Sequence, residues 1–139
     1  MSLLQIKNTN LMRLKENEFK LEKDLQKFCE KNISSLLDLA LIKSEFIIEN
    51  YRFDTLCFDE SNKSFVIIEY KRGTNYSVID QGYAYLGTML NNKAEFILEY
   101  NERLDKNLKR DDVDWSQSKI VFISQSFSKF QKETINFKD

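Results

Sequence analysis

The sequence predicts an α/β fold in which helices flank a mixed central sheet. Residues 52–58 (RFDTLCF) and 64–71 (SFVIIEYK) are rich in aromatic and β-branched residues, which is typical of strands. Amphipathic helix patterns lie before and after this pair of segments. Helices inserted among strands favour a mixed sheet with helices on its faces.

The remaining elements follow from local patterns along the chain. Apolar residues recur at three- and four-residue intervals from about 18 to 41, which predicts a helix with a break near 32–35. The polar residues 59–63 predict a hairpin loop between the two strong strands. We also predict strands at 44–49, 94–100 and 119–124, helices at 77–90 (with Ser77 as N-cap) and 128–135, and a solvated loop or short helix at 101–114.

Length and composition indicate a single domain. The 139 residues include no proline and three glycines, and no internal repeat is visible, so we expect one domain over residues 1–139. The abrupt end leaves open whether the natural chain continues past Asp139.

No stretch approaches the roughly 18 apolar residues of a membrane span, and the N-terminus lacks a signal-peptide pattern, so we expect a cytoplasmic protein. The isolated Cys29 and Cys57 are expected to be buried thiols.

The absence of histidine restricts the chemistry that the chain can perform. It excludes histidine-ligated zinc sites and Ser-His-Asp or Cys-His catalysis, which leaves carboxylates, lysines and hydroxyls. The net charge of −1, from 21 basic and 22 acidic residues, counts mildly against nucleic-acid binding, although the distribution of charge matters more than the sum.

The predicted hairpin brings charged side chains together. If Phe58 pairs with Phe65, Asp54 lies opposite Glu69, with their Cβ atoms about 4.5–5.5 Å apart. Lys71 points to the same side as Glu69, because side chains alternate along a strand. One lysine balances only one of two opposed carboxylates, and a divalent cation such as Mg²⁺ fits the excess charge.

A third acid comes from the first predicted helix. At roughly 100° per residue, Glu22 falls on the apolar stripe, so we expect it to face the core, where a carboxylate needs a partner or a metal ion. The structural alternative is that Lys71 or Arg52 satisfies the acids and that they hold no ion. Spacing alone does not decide between the two.

These residues resemble the signature of the PD-(D/E)XK nuclease superfamily, which is a helix Glu, then a strand Asp, then (D/E)-x-K on the partner strand. The matching positions are Glu22, Asp54 and the run Glu69-Tyr70-Lys71. Phe53 stands where the superfamily has its proline. From Phe19 to Lys138, with stretches such as IIEYKRGTNYSVIDQGYAYL, the chain also resembles a bacterial group of proteins distantly related to the archaeal Holliday junction resolvases.

The resemblance implies a restriction-endonuclease-like fold with an α-β-β-β-α-β core. It also implies a nuclease that uses Mg²⁺, or Mn²⁺ as a substitute, to hydrolyse phosphodiester bonds of nucleic acid, with DNA as the expected substrate. The implied roles are metal binding for Asp54, Glu69, the Tyr70 carbonyl and Glu22, positioning of the attacking water for Lys71, and support of the geometry for Gln81.

Two other functions stay open, namely a nuclease-like domain that binds nucleic acid or protein without cutting, and an interaction domain whose acids are structural. The substrate's form, the pathway and the oligomeric state are also open, although a homodimer would let such an enzyme cut two strands.

Packing is the expected role of the aromatic residues near the site, with base stacking as the alternative for the tyrosines. These residues are Tyr76, Tyr83, Tyr85 and Trp115. The acidic residues Asp111, Asp112 and Asp114 are expected to be solvated.

Overall fold

A computed structural model of the chain describes residues 2–5, 22–71 and 78–124. Along the chain these residues form β1 (Ser2–Gln5), α1 (Glu22–Lys31), α2 (Ile33–Leu37), β2 (Ala40–Ile48), β3 (Tyr51–Asp59), β4 (Ser64–Lys71), α3 (Val78–Asn91), α4 (Lys93–Leu104), two 3-10 turns (Arg110–Asp112 and Trp115–Gln117) and β5 (Lys119–Ser124). Within these residues, no helix combines the length and apolar character that crossing a membrane requires.

The strands form one mixed sheet in the order β1-β5-β4-β3-β2. The neighbours β2, β3 and β4 are antiparallel, whereas β5 runs parallel to both β4 and β1. The predicted α/β fold with a mixed sheet between helices is therefore confirmed, and so is the core order α-β-β-β-α-β, with α4 as an additional helix before the last strand.

The hairpin between β3 and β4 has the predicted register, with Phe58 opposite Phe65 and Leu56 opposite Ile67. The Asp59 carboxylate fixes the turn, because its Oδ1 accepts the backbone N–H groups of Ser61 and Asn62 at 3.0 and 3.1 Å. An aspartate that bonds its own loop in this way stabilises a tight connection without any further contact. The register at the far end of the hairpin is thus set by local interactions.

Each face of the sheet carries its own hydrophobic core. One core lies under α3 and α4 and is dominated by aromatic rings such as those of Phe53, Phe65 and Phe96. The other lies under α1 and α2 and includes both cysteines, which are free and buried as predicted. Burial raises the pKa of each thiol to about 12, so both stay protonated and unreactive at neutral pH.

The strand predicted at 94–100 is wrong, because these residues belong to α4. The segment AEFILEY is short and rich in aromatic and β-branched residues, which is where strand and helix patterns are hardest to separate. The side chains that reach the core are Phe96 and Tyr100, four residues apart, while Leu98 between them is 52% exposed. That spacing is helical, and packing of this face against the sheet overrides the strand propensity.

The first predicted helix is shorter than expected and interrupted. The break predicted near 32–35 occurs at Asn32, but α2 ends at Leu37 and the chain has already entered β2 at Ala40. The strand predicted at 44–49 is accordingly longer at its start. The sequence pattern missed β1, and the predictions for the helix 128–135 and for Ser77 lie outside the described residues.

Alanine substitutions at Phe96 and Leu98 test the helical assignment of α4. In a helix, Phe96→Ala removes a fully buried ring and should lower the free energy of unfolding by about 3–5 kcal/mol. Leu98→Ala, on the exposed side, should cost less than about 1 kcal/mol. Urea denaturation measures both, and similar losses for the two variants would indicate a strand, in which the residues share a face.

Candidate functional site

The candidate site lies where β3 and β4 separate. Their pairing extends from the hairpin only as far as Thr55 opposite Ile68. Beyond this point β3 continues beside β2 to Tyr51, and β4 continues beside β5 to Lys71. We call this divergence the fork, and Asp54 and Glu69 are the first residues past it on either strand.

Each of the two acids accepts a hydrogen bond from a backbone N–H on the opposite side of the fork. The N–H of Asp54 donates to Oε2 of Glu69 at 2.7 Å, and the N–H of Tyr70 donates to Oδ2 of Asp54 at 3.1 Å. Side chains thereby replace the ladder hydrogen bonds that end at Thr55. The structure thus brings Asp54 and Glu69 together, as the predicted register requires.

Burial raises the pKa of both carboxyl groups at the fork. Glu69 is 4% exposed, and desolvation, followed by the charge of Asp54, raises its pKa to about 8. Desolvation is also the main cause that raises the pKa of Asp54, against the lowering effect of its hydrogen bond from the Tyr70 N–H. The pair therefore shares a proton near neutral pH when no cation offsets its charge.

The positive charges of Lys71 and Arg52 act against the effect of burial on the two acids. The Lys71 charge lowers the pKa of both carboxyl groups, and the Arg52 charge lowers that of Asp54, yet desolvation is the larger effect in each case. The exposed Arg52 also pairs with Glu45 at 3.4 Å. The two cations therefore offset the effect of burial on these pKa values only in part.

The prediction that Glu22 faces the core is wrong. Glu22 is the first residue of α1 and is exposed, while the buried residues of this helix are Leu25, Gln26 and Cys29. Helical angle gives the direction of a side chain but not whether the sheet extends far enough to cover it. Glu22 nevertheless lies close enough to Asp54 for its charge to raise the pKa of that residue.

The first turns of α3 approach the same site from the aromatic core. Gln81 is half-buried, and its Nε2 donates to the hydroxyl of Tyr85 at 2.9 Å. Desolvation and then the charge of Glu69 raise the pKa of Tyr85, whose ring packs edge-on to Phe53 at 4.7 Å between centroids. Gln81 is thus linked to the site through Tyr85.

A polar network behind the fork was missed from the sequence. The hydroxyl of Thr55 donates to Oε2 of Glu30 at 2.5 Å and contacts the Tyr70 hydroxyl at 2.8 Å. Gln26 Nε2 donates to the same Glu30 oxygen at 3.0 Å and to the Asp54 carbonyl at 2.9 Å. A signal existed, because Gln26 lies one helical turn after Glu22 on the apolar stripe, where a polar residue needs an explanation.

The residues at the fork offer two carboxylate groups that could serve as metal ligands. Within residues 22–71 and 78–124, no group of three or more His, Cys, Asp or Glu side chains is arranged to hold a metal ion. Two carboxylates do converge there, and Mg²⁺ is typically held by one or two carboxylates together with substrate phosphate and water. The donor set therefore fits a hard divalent cation, with Asp54 and Glu69 as the side chains that meet.

Other predicted features have structural roles in the part of the chain that is described. Trp115 stacks on Phe65 at 5.6 Å between centroids, which confirms packing. Asp111, Asp112 and Asp114 are exposed as predicted, and Asp114 caps the second 3-10 turn. Among the tyrosines, Tyr85 is buried, Tyr83 is 54% exposed, and Tyr76 lies outside the described residues.

Comparisons with known proteins show one sequence relative and two structural ones. An uncharacterized protein of Haemophilus influenzae is 52% identical over 139 residues, which is 100% of this chain but 46% of that protein. A repair endonuclease from Pyrococcus abyssi and the EndoMS protein in complex with double-stranded DNA each share 12% identity over 88% of this chain, with TM-scores of 0.47 and 0.46 and coverage of 45% and 44% of their own chains. No family model matches the chain.

The raised pKa of Glu69 predicts how stability depends on pH in the metal-free protein. Between its ordinary value of 4.5 and about 8, the folded state binds more protons than the unfolded state, so the free energy of unfolding falls as pH rises. The contribution of one such group has a slope of at most about 1.4 kcal/mol per pH unit. Urea denaturation in EDTA at pH 5, 6, 7 and 8 measures the slope.

Glu69→Gln should flatten this slope, because the amide keeps an acceptor for the Asp54 N–H and removes the titrating group. The matched control is Glu102→Gln, the same change at an exposed carboxylate of α4, which should keep the wild-type slope. An unchanged slope in Glu69→Gln would contradict the assignment of the shared proton to the fork.

Proposed function

We propose that this chain is a PD-(D/E)XK-type nuclease domain that uses Mg²⁺, or Mn²⁺ in its place, to hydrolyse phosphodiester bonds of nucleic acid, with DNA as the expected substrate. The observation that supports it most is the pair of carboxylates at the fork, of which Glu69 is buried and Asp54 half-buried, with a lysine beside them. Such a pair of like charges away from water is costly to ionise unless a cation offsets it. The link to the resolvase-related group, the cytoplasmic location and the homodimer stay predictions.

The following residues would bind the metal ion and orient the water. Asp54, Glu69 and the Tyr70 carbonyl would hold the metal ion. Glu22, exposed at the start of α1 and close to Asp54, would orient a water or hold a second ion. A divalent ion bound here would lower the pKa of a bound water and stabilise charge on the phosphorane.

Lys71 and Gln81 would act on the groups that react or on the side chains around them. The Lys71 ammonium, within electrostatic reach of both acids, would position the attacking water and donate to a phosphate oxygen as negative charge develops. Gln81, bonded to the Tyr85 hydroxyl, would fix the wall of the site on the α3 side.

A second candidate function is favoured by the same hydrogen bonds that define the fork. Each acid accepts a backbone N–H of the opposite strand, which is a structural use of a carboxylate. In that case the domain is a nuclease-like module that binds nucleic acid or a protein partner without cutting. The two candidates differ in whether the negative charge of the acids is needed or only their acceptor oxygens.

Amide variants of the acids separate the two candidates. Asp54→Asn and Glu69→Gln keep an acceptor for the backbone N–H groups of Tyr70 and Asp54 and remove the charge. If the acids bind metal, each variant should lower cleavage of a labelled DNA in 5–10 mM Mg²⁺ by about 100-fold or more, with circular dichroism unchanged (order of magnitude for loss of one transition-state contact). Alanine at Asp54 is less decisive, because it also leaves the Tyr70 N–H without its acceptor.

The matched control is Asp111→Asn, the same chemical change at an exposed residue of the first 3-10 turn, which should cleave like the wild type. Lys71→Met should also lose cleavage, because the thioether cannot donate a hydrogen bond. Full activity in Asp54→Asn would overturn the metal assignment. If duplex, single-stranded and branched DNA and RNA all stay intact with Mg²⁺ and Mn²⁺ while the wild type still binds one of them, the non-cutting candidate holds.

A further inference from the structure

The buried face of α1 carries a polar side chain that the proposed reaction does not use. Gln26 is 6% exposed and lies between Leu25 and Cys29, which are fully buried. A buried amide is costly unless it is hydrogen-bonded, so its partners indicate why it is there. Its neighbours on the other side are the fork and the edge strand β2.

The partners of Gln26 fix the orientation of its amide. Nε2 lies 2.9 Å from the Asp54 carbonyl oxygen, 3.0 Å from Oε2 of Glu30 and 3.1 Å from Oγ of Ser44, so its two protons are divided among three acceptors. A carbonyl and a carboxylate only accept, so the amide must present its nitrogen to them. Gln26 thus connects α1 to β2 and β3 next to the two acids.

Three backbone groups at the fork form hydrogen bonds with side chains. Where the β3–β4 ladder ends, the N–H of Asp54 bonds to Glu69, the N–H of Tyr70 bonds to Asp54, and the C=O of Asp54 bonds to Gln26. Two of these three partners are the acids themselves. Of the three, Gln26 is the one that comes from outside the sheet, so α1 is tied to the fork at this point.

We propose that Gln26 is a positioning residue that holds Asp54 where it converges with Glu69. Without its donor, the Asp54 carbonyl loses a hydrogen bond and β3 shifts at this point, so the hydrogen bonds that the two acids accept from the N–H groups of Asp54 and Tyr70 weaken. The proposal rests on the proposed function only in what the converged acids do. Gln26 itself contacts the backbone beside the site and not the reacting atoms.

The network behind Gln26 holds it in place. Glu30 accepts from Gln26 and from Thr55, so Thr55 has no proton left for Tyr70, and the Tyr70 hydroxyl must donate to Thr55. Burial raises the pKa of Tyr70, which keeps this donor protonated. Thr55 follows Asp54 on β3 and Tyr70 follows Glu69 on β4. The network therefore links the two strands at the residues next to the acids.

Gln26→Leu tests the proposal, because leucine keeps much of the volume and removes the donor. Amide hydrogen exchange of Asp54 and Tyr70, measured by NMR on metal-free protein, should accelerate by about 10-fold or more relative to core amides of β4. Mn²⁺ affinity, measured by electron paramagnetic resonance, should fall about 10- to 100-fold, as is typical when a group that orients metal ligands is lost. In cleavage, kcat should fall and KM for DNA should stay the same.

The matched control is Cys29→Ala, which removes a buried side chain from the same helix, one turn further along it. It should lower overall stability without selective exchange at Asp54 and Tyr70 and without loss of Mn²⁺ affinity. Equal behaviour of Gln26→Leu and this control, or wild-type amides of Asp54 and Tyr70 that exchange like exposed ones, would overturn the proposal. If the wild type neither binds Mn²⁺ nor cleaves, the proposed function fails, and hydrogen exchange alone decides the role of Gln26.

Discussion

The end of the β3–β4 ladder is the constraint on which the rest of the site depends. Two antiparallel strands that pair from a tight hairpin would ordinarily continue until one of them ends. Here each strand instead follows its other neighbour, β2 or β5, and the backbone groups released at Thr55 need new partners. Side chains supply them, which places two carboxylates in the widening gap.

That arrangement places two acids side by side at the edge of the core, where ionising both of them is costly. The chain could have used neutral acceptors to cap these backbone groups, since an amide oxygen also accepts an N–H hydrogen bond. It uses Asp54 and Glu69, whose pKa values rise because burial outweighs Lys71. Carboxyl groups with strongly shifted pKa values are common at functional sites, although structural networks of polar residues also shift pKa values. The hydrogen bonds explain why polar residues stand here, and the raised pKa values of the two carboxyl groups indicate that ionising both at once is costly without a cation.

The hairpin and its acids could be predicted from the sequence because they depend on local rules. A short polar loop and a side-chain period of two set the register over the whole length of the hairpin. The sequence could not place Glu22 or α4 in the same way. Burial of Glu22 depends on how far the sheet extends, and the choice between helix and strand at 94–100 depends on packing of Phe96 and Tyr100 against the sheet. The apolar stripe of α1 marks Gln26 as a polar residue that needs a hydrogen-bond partner, but no local pattern reveals that the partner lies on β3.

Phe53, in the position where the resemblance would place a proline, fits this account of the site. Proline would fix the backbone and contribute no ring stacking, whereas Phe53 is fully buried and packs edge-on to Tyr85 at 4.7 Å. Tyr85 in turn accepts from Gln81, so the ring of Phe53 ties the strand of Asp54 to α3. On the opposite side, Gln26 ties the same strand to α1. The backbone around Asp54 is therefore tied to α3 through Phe53 and to α1 through Gln26.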